Sequence, residues 1–226
     1  QTDTASSLTF YNETLDSYAR PLSHMVSLGL EYRLGEQDEF GLSGDYFHNS
    51  FTRTEGANKL LHNSSGVLIN RYERNRVDFE SEKEYSFTTF FEHKFPTEDH
   101  TLRFEFSAAR APEQEDNRYT NVYLFPAGPN EYDNTLIKVA DIDKQVTVEY
   151  ANPLTEESNL EIGYAGEFVN NDLDFHAEYF DTGQQRFVTD VSKTNQFVYD
   201  ELIHALYATY KQSFKPFGLM AGVRVE

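Results

Sequence analysis

Apolar and polar residues alternate with period two along much of this chain, and the clearest run is residues 87–106, FTTFFEHKFPTEDHTLRFEF. Phe87, Thr89, Phe91, His93 and Phe95 fall on one side of an extended strand and Thr88, Phe90, Glu92 and Lys94 on the other. After a short polar connection opened by Pro96, Leu102, Phe104 and Phe106 alternate with Arg103 and Glu105. The pattern predicts a β-hairpin with a tight turn, one face apolar and aromatic, the other charged. Two architectures accept such a hairpin: a soluble sandwich, whose apolar face packs on a second sheet, and a transmembrane barrel, whose apolar face meets lipid.

The same alternation recurs along the chain. Val26, Leu28 and Leu30 oppose Glu31 and Arg33, and after a turn near residue 37 the returning strand carries Asp45 on its polar side. Val146 and Val148 oppose Glu149; Leu160 and Ile162 oppose Glu161 and Glu167. A further strand over 197–214 turns at Lys215-Pro216. Residues 1–21, including Leu8, Phe10 and Asn12, read as loop, and 49–76, 112–134 and 170–195 read as long polar loops broken by Asn, Gly and Pro. Short turns near 37, 98, 156 and 216 recur about every 60 residues, the rhythm of a barrel with short periplasmic turns and long outer loops. A sandwich shows turn signals every 8 to 12 residues or so. The expected fold is all-β: an antiparallel transmembrane β-barrel segment of about seven or eight strands belonging to a larger barrel.

Composition sharpens this reading. Exchanging the 15 Tyr for the 12 Gly in the apolar count leaves about 37% apolar, below the roughly 45–50% of soluble domains, although 15% of residues are aromatic. Aliphatic core material is what is missing. A net charge of −19 repels a phosphate backbone and sets nucleic-acid binding aside. With no Cys there is neither a disulfide framework nor a thiolate site. No run of about 18 apolar residues predicts a membrane helix. Residues 1–15 carry no leader and residues 218–226 stop in mid-alternation, so the chain is expected to be one partial barrel domain over 1–226, excised from a longer protein whose plug and closing strands lie elsewhere.

From residue 150 onward, Tyr150-Ala-Asn-Pro-Leu154, Asn159-Leu-Glu-Ile-Gly-Tyr164, Asp174-Phe-His-Ala-Glu-Tyr-Phe180, Asn195-Gln-Phe-Val-Tyr-Asp-Glu201, Ile203-His-Ala-Leu-Tyr207 and Gly222-Val-Arg-Val-Glu226 together resemble the barrel of TonB-dependent outer-membrane receptors, within the outer-membrane β-barrel family common in Bacteroidota. The resemblance implies a 22-stranded barrel around a plug, taking up a scarce ligand with energy passed through TonB. The implied partners are outer-membrane lipid, the plug, TonB acting through it, and a small ligand: glycan, peptide or metal chelate. No plug or TonB-contacting segment is present on which that mechanism maps.

Candidate residues follow from the two faces. Glu31, Arg33, Asp45, Glu92, Lys94, Arg103, Glu105, Glu149, Glu161 and Glu167 are expected to face the lumen, paired with one another or with the plug; in a sandwich they form a solvated face. Val26, Leu28, Leu30, Phe87, Phe91, Leu102, Phe104, Phe106, Val146, Val148, Leu160 and Ile162 are expected to face lipid. Asp141 and Asp143, with Asp172 and Asp174, offer hard oxygen ligands near loop bases but lack the ligand count and glycine of a calcium loop; ordinary loop aspartates are the plainer reading. The seven scattered histidines have no metal-ligand spacing, and His204 reads as an interfacial or lumen residue. Gly41-Leu-Ser43-Gly44 is strand rather than nucleophile elbow, and no catalytic or cofactor-binding residue is expected. Tyr119, Tyr123, Phe125, Tyr132 and Tyr179, with Tyr72 and Phe187, are loop aromatics for stacking on a ligand or on one another. Transport rather than catalysis is the expected function; the alternatives are a passive structural or adhesive outer-membrane barrel and a secreted carbohydrate-binding sandwich.

Overall fold

The computed structural model describes residues 9–226, so Leu8 lies outside the described residues. Ten strands form one antiparallel sheet: β1 (Thr9–Ala19), β2 (Leu22–Leu34), β3 (Asp38–Asn63), β4 (Leu68–Lys94), β5 (Thr101–Phe125), β6 (Glu131–Thr155), β7 (Ser158–Asp181), β8 (Arg186–Thr189), β9 (Asn195–Phe214) and β10 (Phe217–Val225). Strands β1 and β2 both pair with β3 and share its register, Ala19 opposite Arg53 and Leu22 opposite Ser50. They are one long strand interrupted at Arg20-Pro21, where proline has no N–H to give the ladder. Strand β8 is a short return paired to the tip of β7, Phe187 opposite Phe180. What remains is an up-and-down meander of eight long strands whose outer members do not pair with each other among the described residues.

The described residues do not form a sandwich, because among them there is no second layer. The buried apolar residues among those described are Ala57, Ala177 and Ala205, whereas Leu28, Phe104, Leu202 and Leu206 stand exposed. The accessible surface of 15615 Å² is half again the ~10,600 Å² of a compact monomer of this mass.

Two sequence expectations are corrected. Residues 9–19, read as loop, form β1, and the long loops expected over 49–76, 112–134 and 170–195 are mostly ladder. Strands β3 to β7 run 24 to 27 residues, more than twice the roughly 9–11 that cross a bilayer. The distal turns are short and locally built: the Asn63 carboxamide oxygen accepts from the amides of Ser65 and Val67 at 3.0 and 2.9 Å, and Gly66 takes φ +78°. In these outer stretches both faces of the ladder are polar, so apolar alternation is not needed and its loss misled the reading; backbone pairing and polar cross-strand contacts hold the strands.

The sheet carries the stagger of a barrel wall. Leu34, Asp38, His93, Leu102, Tyr150, Ile162, Ala208 and Val223 lie in one cross-strand row. Relative to that row the ladder ends at Leu34–Asp38, one residue further at Lys94–Thr101, five further at Thr155–Ser158 and six further at Phe214–Phe217. The short-turn end thus steps by about one residue per strand, close to the ~1.2 that a 40° tilt gives at normal strand spacing and rise.

Candidate functional site

Directly opposed residues of an antiparallel ladder share a face, so the register sorts every side chain. Glu31, Arg33, Asp45, Glu92, Lys94, Arg103, Glu105, Glu149, Glu161 and Glu167 all fall on one face. Val26, Leu28, Leu30, Phe87, Phe91, Leu102, Phe104, Phe106, Val146, Val148, Leu160 and Ile162 all fall on the other. His204 lies on the apolar face, its Nδ1 2.7 Å from the Tyr164 hydroxyl. Burial is concentrated on one side: Gly41, Ala57, Asp78, Asn117, Asn121, Gly163, Ala177 and Ala205 lie on the polar face, the crowding expected on the inside of a curling sheet, and Ser158 and Gly166 on the other.

Near the short turns the polar face is a lattice of ion pairs. Arg103 donates to Glu105 at 2.7 Å and Glu92 at 3.2 Å, and Lys94 bridges Glu92 and Glu39. Lys211 reaches Glu161 at 2.6 Å, and Tyr207 donates to Glu149 at 2.8 Å. Two rings occupy the space over glycines of the neighbouring strand: a Cβ on Gly41 would meet the Phe90 ring at 2.0 Å, and one on Gly163 the Tyr207 ring at 2.2 Å. The apolar face of the same zone has aromatic edges, Tyr46 and Tyr85 at 5.2 Å on the distal side and Phe95, His100 and Tyr150 clustered by the turn.

The site that sequence reasoning missed lies further out on the polar face, where the long strands continue. Arg74 of β4 reaches across β5 to Asp133 of β6, donating to both carboxylate oxygens at 2.8 and 2.6 Å, and stacks over Tyr119 at 4.0 Å. Arg76 donates to Asn117, Asp78 and Glu55 at 2.7, 2.8 and 3.2 Å, and Arg53 to Glu80 at 3.3 Å. Asp78 is fully buried with one carboxylate oxygen unpartnered; burial raises its pKa against the opposing pull of Arg76. Glu80, Glu113 and Glu115 bring carboxylate oxygens within 4.8 Å of one another, a spacing a hard cation accepts. Burial first, and the Glu115 charge second, raise the pKa of Glu80 and Glu113. The available signal was a polar period of two, Tyr72-Arg74-Arg76-Asp78-Glu80 against Glu113-Glu115-Asn117-Tyr119-Asn121.

The remaining candidates separate. Asp141 and Asp143 lie on the polar face and Asp172 and Asp174 on the apolar one, so the two pairs do not converge on one ion; Asp172 instead accepts from Gln196 at 3.0 Å. The aromatics expected in loops sit mainly on strands. Tyr72 and Tyr123 pair at 5.5 Å on the polar face near Tyr119, and the Tyr123 hydroxyl, donating to Glu131 at 2.7 Å, has its pKa pushed up to about 12 by that bond. Tyr179 opposes Asp133 and Val188. Tyr132, Phe180 and Phe187 meet edge to face on the other side of the sheet, beside a groove of about 540 Å³, and Phe125 ends β5 at the distal turn.

A sheet with one wet, ion-paired face, one exposed apolar face and a barrel stagger defines a membrane barrel wall. The chain belongs to the outer membrane protein beta-barrel family, whose model matches residues 93–226, and it resides in the bacterial outer membrane. No curated protein sequence matches it. Among solved structures, the ferric-catecholate import receptor Fiu of E. coli K12 aligns over 94% of this chain and 49% of its own, at 10% identity and a TM-score of 0.21. The chain spans about half the length of that receptor.

Proposed function

We propose that this chain is wall and outer extension of a larger, plugged barrel: a TonB-dependent receptor of the Bacteroidota type that takes up a scarce small ligand. In this reading the apolar face meets lipid and the polar face lines the lumen. Glu92, Lys94, Arg103, Glu105, Glu149 and Glu161 border the plug, and the extended inner surface around Arg74, Arg76, Tyr119 and Tyr123 forms the vestibule a ligand enters first.

One observation carries it: strands more than twice the length of a membrane pass keep a dense polar inner face far beyond the apolar zone. A bare wall has no use for such a surface, whereas a vestibule does. The ligand it suits is polar and hydrogen-bonding, with arginine forks and tyrosine rings for a glycan, peptide or chelate.

The test is an antibody raised against this segment, used on fractionated source cells. Eleven hairpins of about 60 residues make a barrel of roughly 660 residues before any plug, so a band well above about 70 kDa in the outer membrane is expected. Uptake lost on dissipating the inner-membrane proton gradient identifies the energised receptor. A band near the chain's own 26.2 kDa contradicts the reading.

A further inference from the structure

We propose that His48, Lys83, Arg110 and Lys144 form a collar on the apolar face that binds the phosphate groups of anionic lipid headgroups in the outer leaflet. The inference rests on the reading that this face meets lipid.

The first observation is charge segregation. Acidic residues outnumber basic ones 38 to 19, yet on the apolar face of β3–β6, over residues 40–54, 77–91, 102–114 and 138–150, there is no carboxylate. The basic side chains there are Lys83, Arg110 and Lys144, with the imidazole of His48 beside them, and Lys138, which lies further out opposite Asp174. Neither Lys83, Arg110 nor Lys144 has a carboxylate partner or side-chain hydrogen bond among the described residues, while Lys94, Arg103 and Lys211 on the other face are all paired.

The second observation is height. His48 stands directly opposite Lys83. Arg110 is opposite Tyr85, two residues nearer the short turns than Lys83, and Lys144 is opposite Ala108, two nearer again. The drop is four residues over three strands, in the direction in which the turns themselves descend, and a 40° tilt predicts ~3.5. The four groups therefore stand at one level relative to the membrane plane.

The third is place. His48 and Lys83 follow Tyr46 and Tyr85, the distal aromatic pair, by one step on the same face. From Lys83 to His93 by the turn is ten residues, ~26 Å along the membrane normal at that tilt, matching the ~25 Å apolar band of outer-membrane barrels. A cation at the rim of that band, with its aliphatic stem over apolar surface, meets headgroup phosphates. The collar is at the end away from the short turns, which in such barrels faces the outside.

The test uses the protein purified from outer membranes in mild detergent and stripped of lipid. The probes are doubly phosphorylated lipid A, the same lipid after removal of its phosphates, and inorganic pyrophosphate. Phosphorylated lipid A is expected to bind at least tenfold more tightly than the dephosphorylated lipid, and Lys83→Ala/Arg110→Ala/Lys144→Ala to abolish that preference. The charge-keeping Lys83→Arg/Lys144→Arg retains it, and Arg110→Gln alone weakens it should the triple variant not fold. Equal binding of the two lipids, or an unchanged preference in the neutralised variants, overturns the collar. Pyrophosphate binding as tight as lipid A overturns the lipid source. A nitroxide at position 106 separates the failures: lipid contact there without a phosphate preference removes the collar alone, and water contact removes the lipid-face reading with it.

Discussion

Arg74 and Asp133 sit on strands that do not touch, β4 and β6, yet the arginine grips both carboxylate oxygens at 2.8 and 2.6 Å across the intervening Asn121. The pair braces three strands well beyond the apolar zone. With both side chains about a quarter exposed, removing one partner should cost the outer ladder about 1–2 kcal/mol. Arg74→Ala is expected to speed hydrogen exchange in 71–76, 117–123 and 131–136 and leave 85–93 unchanged. A uniform change over both regions would show that the brace is not local.

Gly41 and Gly163 hold aromatic rings against the backbone on the polar face. Gly41→Ala pushes Phe90 off its seat and should lower stability by about 1–3 kcal/mol in urea unfolding from detergent. Gly41→Ala/Phe90→Ala should recover part of the loss, because the clash is with the ring. If the double variant merely adds the two penalties, ring stacking is not the role of the glycine.

The two faces should answer differently to charge. Phe104→Arg, in the middle of the apolar band, should cost about 2–4 kcal/mol of folding into bilayers. Thr147→Arg, at similar height on the other face and opposite Glu105, should cost less than about 1 kcal/mol. Folding yield into lipid vesicles against urea measures both.

Burial and the neighbouring Glu115 charge hold Glu80 and Glu113 above the ordinary glutamate range. The folded ladder therefore binds more protons than the unfolded chain between the ordinary value, near 4.3, and the raised one. Their contribution to stability is fully present below that window and is lost as pH rises through the raised values. Acidification from pH 7.5 to the ordinary glutamate value is expected to slow exchange in 80–82 and 113–115 after correction for intrinsic rate, and Glu113→Gln to flatten the response. Faster exchange at the lower pH would reverse the sign.

How much of this was legible can be seen at particular residues. Phe104 and Glu105 announced their faces because one side of the strand is apolar and the other charged, and period two then fixes both. Arg74, Arg76 and Asp78 announced nothing, because in the outer ladder both faces are polar and the alternation is between polar kinds. Asn58, Asn63 and Asn70 looked like loop residues, yet only Asn63 turns the chain; Asn58 accepts from Arg71 across the ladder. Pairing over long sequence separation, as between Arg74 and Asp133, leaves no local signature. The lone Pro21 was read as a loop boundary, and the register shows it as a gap within one strand.

In the proposed orientation the apolar face meets lipid and the polar face water. The chain has no cysteine, so single cysteines from 102 to 116 can each carry a nitroxide in the protein reconstituted into vesicles. Collision with oxygen should peak at 102, 104, 106 and 108 and collision with a water-soluble nickel chelate at 103, 105 and 107, with the alternation fading beyond Arg110. Equal nickel access at 104 and 105 would rule out that orientation.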